Sequence, residues 1–312
     1  MTNKIRLKKV KHCVKIKLRI DFQFYCRACG GTEIIMKYSK ISFAENFEDS
    51  YLEAYVHETP DEIKIGKRRA MIVCPGGGYG FLSEREAEPV ALQYFAAGLN
   101  VFVLRYSIQK NAANYAPLIE GCLAVKYLRE HADELYVDPD YVFITGFSAG
   151  GHLAAWVGTM WHIPEVTAHL NGADPEVCKP TATLPCYPVI TSNAGVRHTG
   201  SIKTLNGGSE DEEGMSRFCL EKAVSEKTAP AFLWHTFNDA CVPVMNSLLY
   251  AEALTKNKIP FELHIFPNGP HGLSLCNSET SNGQAMMEST YVAQWLPMAI
   301  RFVLECPFEK CK

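Results

Sequence analysis

Between positions 14 and 24 every even residue is apolar, Val14, Ile16, Leu18, Ile20, Phe22 and Phe24, and Lys15, Lys17, Arg19, Asp21 and Gln23 stand between them. A period of two predicts a strand with one buried face and excludes an amphipathic targeting helix, whose apolar positions recur every 3.6 residues. Cys29-Gly30-Gly31 then turns the chain. Further strands are predicted over 34–43 and 52–57, ahead of a polar stretch at 58–69. From Ala70 onward short apolar runs alternate with helical segments. Strands are predicted over 70–74, 101–105, 141–145, 184–190, 231–236 and 261–266, and helices over 84–97, 116–131, 149–161, 244–256 and 288–304. Alternation of this kind defines an α/β chain built on a mostly parallel central sheet with helices covering both faces. The sequence has no internal repeat and no Gly/Ser linker, so a single domain is expected over 34–312, preceded by an extension at 1–33 that forms an edge strand.

One stretch resists the alternation. Residues 191–230 are long, polar and Gly-rich, with Asn206-Gly207-Gly208 followed by the acidic run 209–213. An insertion of this size within an ordered domain is expected to serve as a lid or a substrate wall, or to be plain surface.

Charge divides the chain unevenly. The net charge is −3, but residues 1–31 carry nine Lys or Arg and one acid, Asp21, so the arm is +8 and the remaining body −11. An acidic body argues against nucleic acid as a partner, and the arm reads as the solvated face of its strand rather than as a membrane contact. No apolar run reaches the roughly 18–20 residues a spanning helix needs, and the start of the chain lacks the apolar stretch of a secretory leader, so a cytoplasmic protein is expected. The twelve cysteines then read as reduced thiols. Cys26-x-x-Cys29, with Cys306-x4-Cys311 as its one conceivable partner pair, is the minor candidate for structural zinc.

The chemistry gathers where strand 141–145 runs into Gly146-Phe147-Ser148-Ala149-Gly150-Gly151 and then a helix. This is G-x-S-x-G in the strand-turn-helix setting that presents a nucleophilic serine at the carboxyl end of a sheet. An acyl-transfer site also needs donors for a developing oxyanion. The first core strand ends in Pro75-Gly76-Gly77-Gly78-Tyr79-Gly80, whose glycines let backbone amides turn inward. The expected donors are the amide of Ala149 and that of Gly77 or Gly78. A phosphate loop is excluded because the run lacks the closing Lys-Ser/Thr. A serine needs a base, and the base an acid to fix its tautomer. Asp239 follows strand 231–236, and His271 lies in Pro267-Asn268-Gly269-Pro270-His271-Gly272 after strand 261–266. Both fall above the same sheet edge, in the order Ser, Asp, His. The site so composed needs no cofactor and no metal.

The remaining candidates are weaker. His152 lies four residues after Ser148 on the elbow helix, a structural position, and His235 sits within a strand. His198 falls in the 191–230 insertion, where it could touch substrate. Glu210, Asp211, Glu212 and Glu213 form a solvated charge run. Trp156 and Trp161 read as core. Tyr79, next to the oxyanion glycines, is expected to wall the acyl pocket and restrict it to short acyl groups.

With these motifs assembled, the chain resembles the α/β-hydrolase esterases grouped around acetyl xylan esterases and xylanase-associated carbohydrate esterases. The resemblance covers about 52–304. It rests on Ala54-Tyr55-Val56-His57-Glu58, Cys74-Pro75-Gly76-Gly77-Gly78-Tyr79, Ser83-Glu84-Arg85-Glu86-Ala87-Glu88-Pro89, Gly146 through His152, Trp234-His235-Thr236 and Pro270-His271-Gly272. Lipase relatives carry His-Gly-Gly-Gly where this chain has Pro75-Gly76-Gly77-Gly78. The resemblance implies an α/β-hydrolase fold and a serine esterase acting on small acyl, chiefly acetyl, esters of a small molecule or oligosaccharide. Two alternatives stand beside it: a peptidase or amidase of the prolyl-oligopeptidase kind, which usually carries a large extra domain, and a binding protein that has kept the fold without turnover.

Overall fold

The computed structural model describes residues 36–305 except 45, 48 and 59–61. The strand expected over 14–24, the rest of the basic arm and the four cysteines of the zinc candidate therefore lie outside the described residues. Among the described residues eight strands form one sheet: β1 (Met36–Ile41), β2 (Tyr51–His57), β3 (Arg68–Cys74), β4 (Asn100–Arg105), β5 (Val137–Phe147), β6 (Ala182–Cys186), β7 (Ala231–Thr236) and β8 (Phe261–Phe266). Their spatial order is β1-β2-β4-β3-β5-β6-β7-β8. Only the β1/β2 and β2/β4 pairs are antiparallel; β4 to β8 run parallel.

The helices are α1 (Glu88–Ala96), α2 (Ala116–Glu130), α3 (Ala149–Met160), α4 (Pro164–Thr167), α5 (Thr199–Leu205), α6 (Glu212–Ser216), α7 (Leu220–Ala223), α8 (Met245–Lys256) and α9 (Trp295–Glu305). The strands explain why helices cover both faces. Ala70 through Cys74 are all fully buried, so neither side of β3 can face water. Ala70, Ile72 and Cys74 pack with α2, α3 and α8, while Met71 and Val73 pack with α1 and α9. Each fully buried Val, Ile or Met is worth about 1.5–3 kcal/mol, so the carboxyl edge of the sheet is a rigid platform. No helix among the described residues is long and apolar enough to cross a membrane.

Strand β5 begins at Val137, four residues before the start expected at 141, and three further elements differ from expectation, each for a local reason. The helix expected over 84–97 starts as a single 3₁₀ turn, Glu84–Glu86, and breaks at Ala87 before α1. Pro89 cannot donate its amide and takes a first-turn position. Strand β6 ends at Cys186 instead of continuing to 190, because Tyr187 turns the backbone left-handed (φ 36°) and Pro188 follows. The last helix begins only at Trp295, after 3₁₀ turns at Ala285–Met287 and Val292–Gln294. Within 191–230 lie α5, α6 and α7, and Ile202, Leu205, Met215, Phe218 and Leu220 of this stretch are buried in the α3-side core.

Candidate active site

Ser148 sits between β5 and α3 with φ 54° and ψ −115°, a backbone conformation that ordinary residues avoid. The surroundings leave it no alternative. The Ser148 amide donates to the Cys186 carbonyl (3.0 Å), and the Ser148 carbonyl accepts from His152 (2.9 Å) and Val189 (3.1 Å). The two flanking glycines are needed for space. A Cβ on Gly146 would stand 2.0 Å from the Gly150 carbonyl oxygen, and one on Gly150 would stand 2.1 Å from that of Cys74. Ala149 opens α3, where the first amides have no intrahelical acceptor and the helix dipole favours negative charge.

The Ser148 hydroxyl donates to His271 Nε2 at 2.8 Å, and His271 Nδ1 lies 2.7 Å from Asp239 Oδ2. Asp239 is buried, which raises its carboxyl, yet hydrogen bonds from His235 and His271 and the Val242 amide hold it well below the usual carboxylate range. As a carboxylate it only accepts, so Nδ1 of His271 carries the proton and Nε2 is free to take one. Asp239 Oδ1 accepts from the amides of Cys241 and Val242, both at 2.9 Å. The loops that hold the acid and the base are joined to each other. Asn238 Oδ1 accepts from the Gly269 amide (2.8 Å) and Thr236 Oγ1 donates to the Gly269 carbonyl (2.8 Å). Thus Ser148, Asp239 and His271, far apart in the chain, come together above the ends of β5, β7 and β8.

The glycine turn lies beside them. A Cβ on Gly76 would be 3.2 Å from Ser148 Cβ, and Gly77, Gly78 and Tyr79 follow with φ of 126°, 64° and 59°. This run of positive φ bends the chain tightly beside the elbow. It also corrects the expectation for Tyr79. Its side chain is fully buried beneath the loop, its hydroxyl 2.8 Å from His152 Nδ1 and its ring against Tyr106. Tyr79 therefore presents no surface to a substrate, and the argument for a short acyl pocket built on it falls. Two other aromatics stand at the loops around the site, Phe81 with 62% and Phe237 with 67% of its surface exposed.

The other histidines separate cleanly. His152 is fully buried, and burial pushes its pKa down to about 4. It is neutral, Nε2–H donating to the Phe218 carbonyl and Nδ1 accepting from Tyr79. His235 is a core residue, its Nε2–H on the Val242 carbonyl (2.9 Å) and 3.4 Å from Asp239 Oδ2. His198 caps the N-terminus of α5, Nδ1 accepting from the Ser201 amide. Its ring comes within 3.7 Å of a Cβ placed on Gly78. Burial lowers its pKa, the nearby His271 adds to that, and Asp239 opposes it. The acidic run stays outside: Glu212 pairs with Arg197, Glu210 with Lys203, and Asp211 caps α6. Trp156 and Trp161 are buried, as read.

Glu86, part of the run 83–89 but given no role from the sequence, reaches the site as well. It is 3% exposed, and its Oε2 accepts from the Gly76 amide (2.9 Å) while its Oε1 accepts from the Tyr187 hydroxyl (2.7 Å). The signal was a charged residue inside a stretch that otherwise leads into a buried helix.

A mostly parallel sheet with an antiparallel second strand, a G-x-S-x-G elbow after β5 and an Asp and a His beyond β7 and β8 defines an α/β hydrolase. Residues 59–254 match the model of the BD-FAE family, and the chain belongs to that family. It is 36% identical over 266 residues to endo-1,4-beta-xylanase B of Butyrivibrio fibrisolvens, covering 80% of this chain and 40% of that protein. It is 29% identical over 209 residues to an acetylxylan esterase of Xylanibacter ruminicola, covering 65% and 41%. The chain thus spans about two fifths of the length of these curated relatives. Among solved structures, an acetyl ester-xyloside bifunctional hydrolase from Caldicellulosiruptor lactoaceticus superposes with a TM-score of 0.71 at 36% identity, covering 86% of this chain and 97% of that one.

Proposed function

We propose that the protein is a serine esterase that removes short acyl groups, acetyl foremost, from a hydroxylated alcohol such as a sugar. The observation that carries the mechanism is the unbroken hydrogen-bond chain from Ser148 Oγ through His271 to Asp239. Ser148 Oγ attacks the ester carbonyl while its proton passes to His271 Nε2. Asp239 stabilises the imidazolium and fixes the Nδ1–H tautomer. The amides of Ala149 and of Gly77 or Gly78 hold the oxyanion, each such donor being worth about 10²–10³ in kcat. The tetrahedral intermediate expels the alcohol, which leaves with the proton from His271, and an acyl-Ser148 ester remains. Water, deprotonated by His271, then releases the acid and restores Ser148.

The substrate class rests on what the relatives are called, an acetylxylan esterase and an acetyl ester-xyloside hydrolase. His198 fits such a substrate. Its Nδ1 accepts from the Ser201 amide and its Cε1 faces Gly78, which leaves Nε2 as the ring nitrogen for an oxygen of the bound ester.

The test is a set of p-nitrophenyl esters from acetyl to octanoyl, run beside acetylated xylo-oligosaccharides and a peptide p-nitroanilide. Highest kcat/KM on acetyl or propionyl esters, with deacetylation of the oligosaccharide, is expected. A kcat/KM that climbs to eight carbons would replace the small-acyl reading with a lipase-like one. Cleavage of the anilide alone would favour the peptidase.

A further inference from the structure

We infer that Glu86 is a positioning residue that sets the oxyanion loop and the His271 loop as one unit, an inference that rests on the site proposed above. The two loops lie far apart in the chain, and the Glu86 carboxyl touches the first directly and reaches the second through Tyr187. Oε2 accepts from the Gly76 amide, immediately before the expected donors Gly77 and Gly78. Oε1 accepts from Tyr187 Oη–H, and the same phenol oxygen accepts from the Ser274 amide (3.0 Å), three residues beyond His271. The Tyr187 ring meets the His271 ring edge-on, centroids 5.1 Å apart.

The neighbouring residue repeats the link through its backbone and side chain. The Ser274 hydroxyl donates to the Arg85 carbonyl (2.6 Å), and Arg85 Nη2 donates to the Gly272 carbonyl (3.1 Å). The carboxyl also sits close to the nucleophile. A Cβ on Gly76 would be 2.6 Å from Glu86 Oε2 and 3.2 Å from Ser148 Cβ, so one glycine separates them.

A buried carboxyl is costly unless its oxygens find donors. Here the donors are a backbone amide of one loop and a tyrosine that braces the other, and no Lys or Arg among the described residues forms an ion pair with Glu86. An anchor for packing alone would need only one of these loops. Linking both, one directly and one through Tyr187, makes the distance between the expected oxyanion donors and the base depend on the Glu86–Tyr187 pair.

The experiment compares wild type, Glu86→Ala, Glu86→Gln, Tyr187→Phe and the Glu86→Ala/Tyr187→Phe double variant. It measures p-nitrophenyl acetate turnover and the rate at which a fluorophosphonate labels Ser148, below each variant's melting temperature. Glu86→Ala is expected to lower kcat and labelling about 100-fold, the scale of one lost oxyanion donor, with KM within about threefold. Glu86→Gln keeps an oxygen for Gly76 and is expected to recover about tenfold of that loss. The double variant is expected within about twofold of Glu86→Ala, because both changes break the same unit. Wild-type kcat and labelling in Glu86→Ala, or losses that simply multiply in the double variant, would overturn the inference. Should Glu86→Ala fail to fold, wild-type rates in both Glu86→Gln and Tyr187→Phe would overturn it equally. A wild type that is labelled but hydrolyses no ester would sink the esterase reading, and the labelling rates would still judge Glu86.

Discussion

Ser148 and the pair hydrogen-bonded to it, His271 and Asp239, are held in place by opposite means. At the elbow the fixing agent is shape: Gly146 and Gly150 lie so close to backbone oxygens that any Cβ would collide, and Ser148 is bent between two backbone hydrogen-bonding sites. In the loops after β7 and β8 the fixing agent is side-chain hydrogen bonding, from Thr236, Asn238, Asp239 and Arg85. The difference predicts how each region fails. The elbow is intolerant of added atoms, and the loops are intolerant of removed ones. A chemical constraint lies behind this, since a nucleophile must point outward with nothing attached to it, whereas a base must have its far nitrogen occupied.

The largest expected effect removes the chemistry without disturbing either kind of support. Ser148→Ala deletes one hydroxyl that contributes little packing, so hydrolysis should fall by about 10⁴-fold or more while circular dichroism and melting temperature stay near wild type. Retained turnover would break the whole scheme. Next is Asp239→Asn, a removal of charge in the hydrogen-bonded region. We expect kcat to drop by about 10³–10⁴ with KM changed little, because the amide no longer fixes the His271 tautomer. The corresponding addition at the elbow, Gly150→Ala, should appear first as lost stability. Overpacking costs about 1–3 kcal/mol, and the 2.1 Å approach to the Cys74 carbonyl places this site at the upper end, readable as a reduced denaturant midpoint. Wild-type stability and activity in that variant would erase the contrast between the two regions.

The smallest effect sharpens the comparison from outside both regions. Glu120 on α2 is fully buried and receives the amide and hydroxyl of Ser107. Burial pushes its carboxyl from 4.5 up to about 7, against the pull of the Ser107 hydrogen bonds. Between those two pH values the folded state binds the proton more tightly than the unfolded chain does. Stability from this group is therefore full below the unfolded value and declines as pH rises through the folded one, by up to about 3 kcal/mol. Glu120→Gln should flatten that slope in urea titrations from pH 4.5 to 8 while leaving kcat unchanged. A pH slope identical to wild type would refute it.

Much of this was legible along the chain because it is encoded locally. The elbow is six consecutive residues, the strands that bear Asp239 and His271 are continuous apolar runs, and each motif follows its strand directly. The order of the three residues along the chain sufficed to bring them to one edge. What was not legible depends on partners distant in sequence. Tyr79 points inward because two glycines and its own left-handed φ turn it under the loop toward His152, 73 residues on. Glu86 finds Tyr187 across 101 residues, and no periodicity announces such a pair. Strand β6 stops early because of a positive φ at Tyr187, a residue type that gives no warning of it, and Pro188 was the one local sign. His198 comes beside Gly78 through a helix cap whose docking depends on the whole fold.

The His152 clamp has a consequence for motion. Its ring joins Tyr79 on one side to the Phe218 carbonyl on the other, so the glycine loop, the elbow helix and the 191–230 stretch share one buried link. Swinging that stretch away wholesale would orphan the Nε2–H, at about 1–3 kcal/mol, and wet Ile202, Leu205, Met215, Phe218 and Leu220, at about 1.5–3 kcal/mol each. An opened form would then be rarer than about one molecule in 10⁵. Such a state is too sparse to gate a catalytic cycle. On the esterase reading proposed above, the ester would reach Ser148 with the 191–230 stretch still in its place.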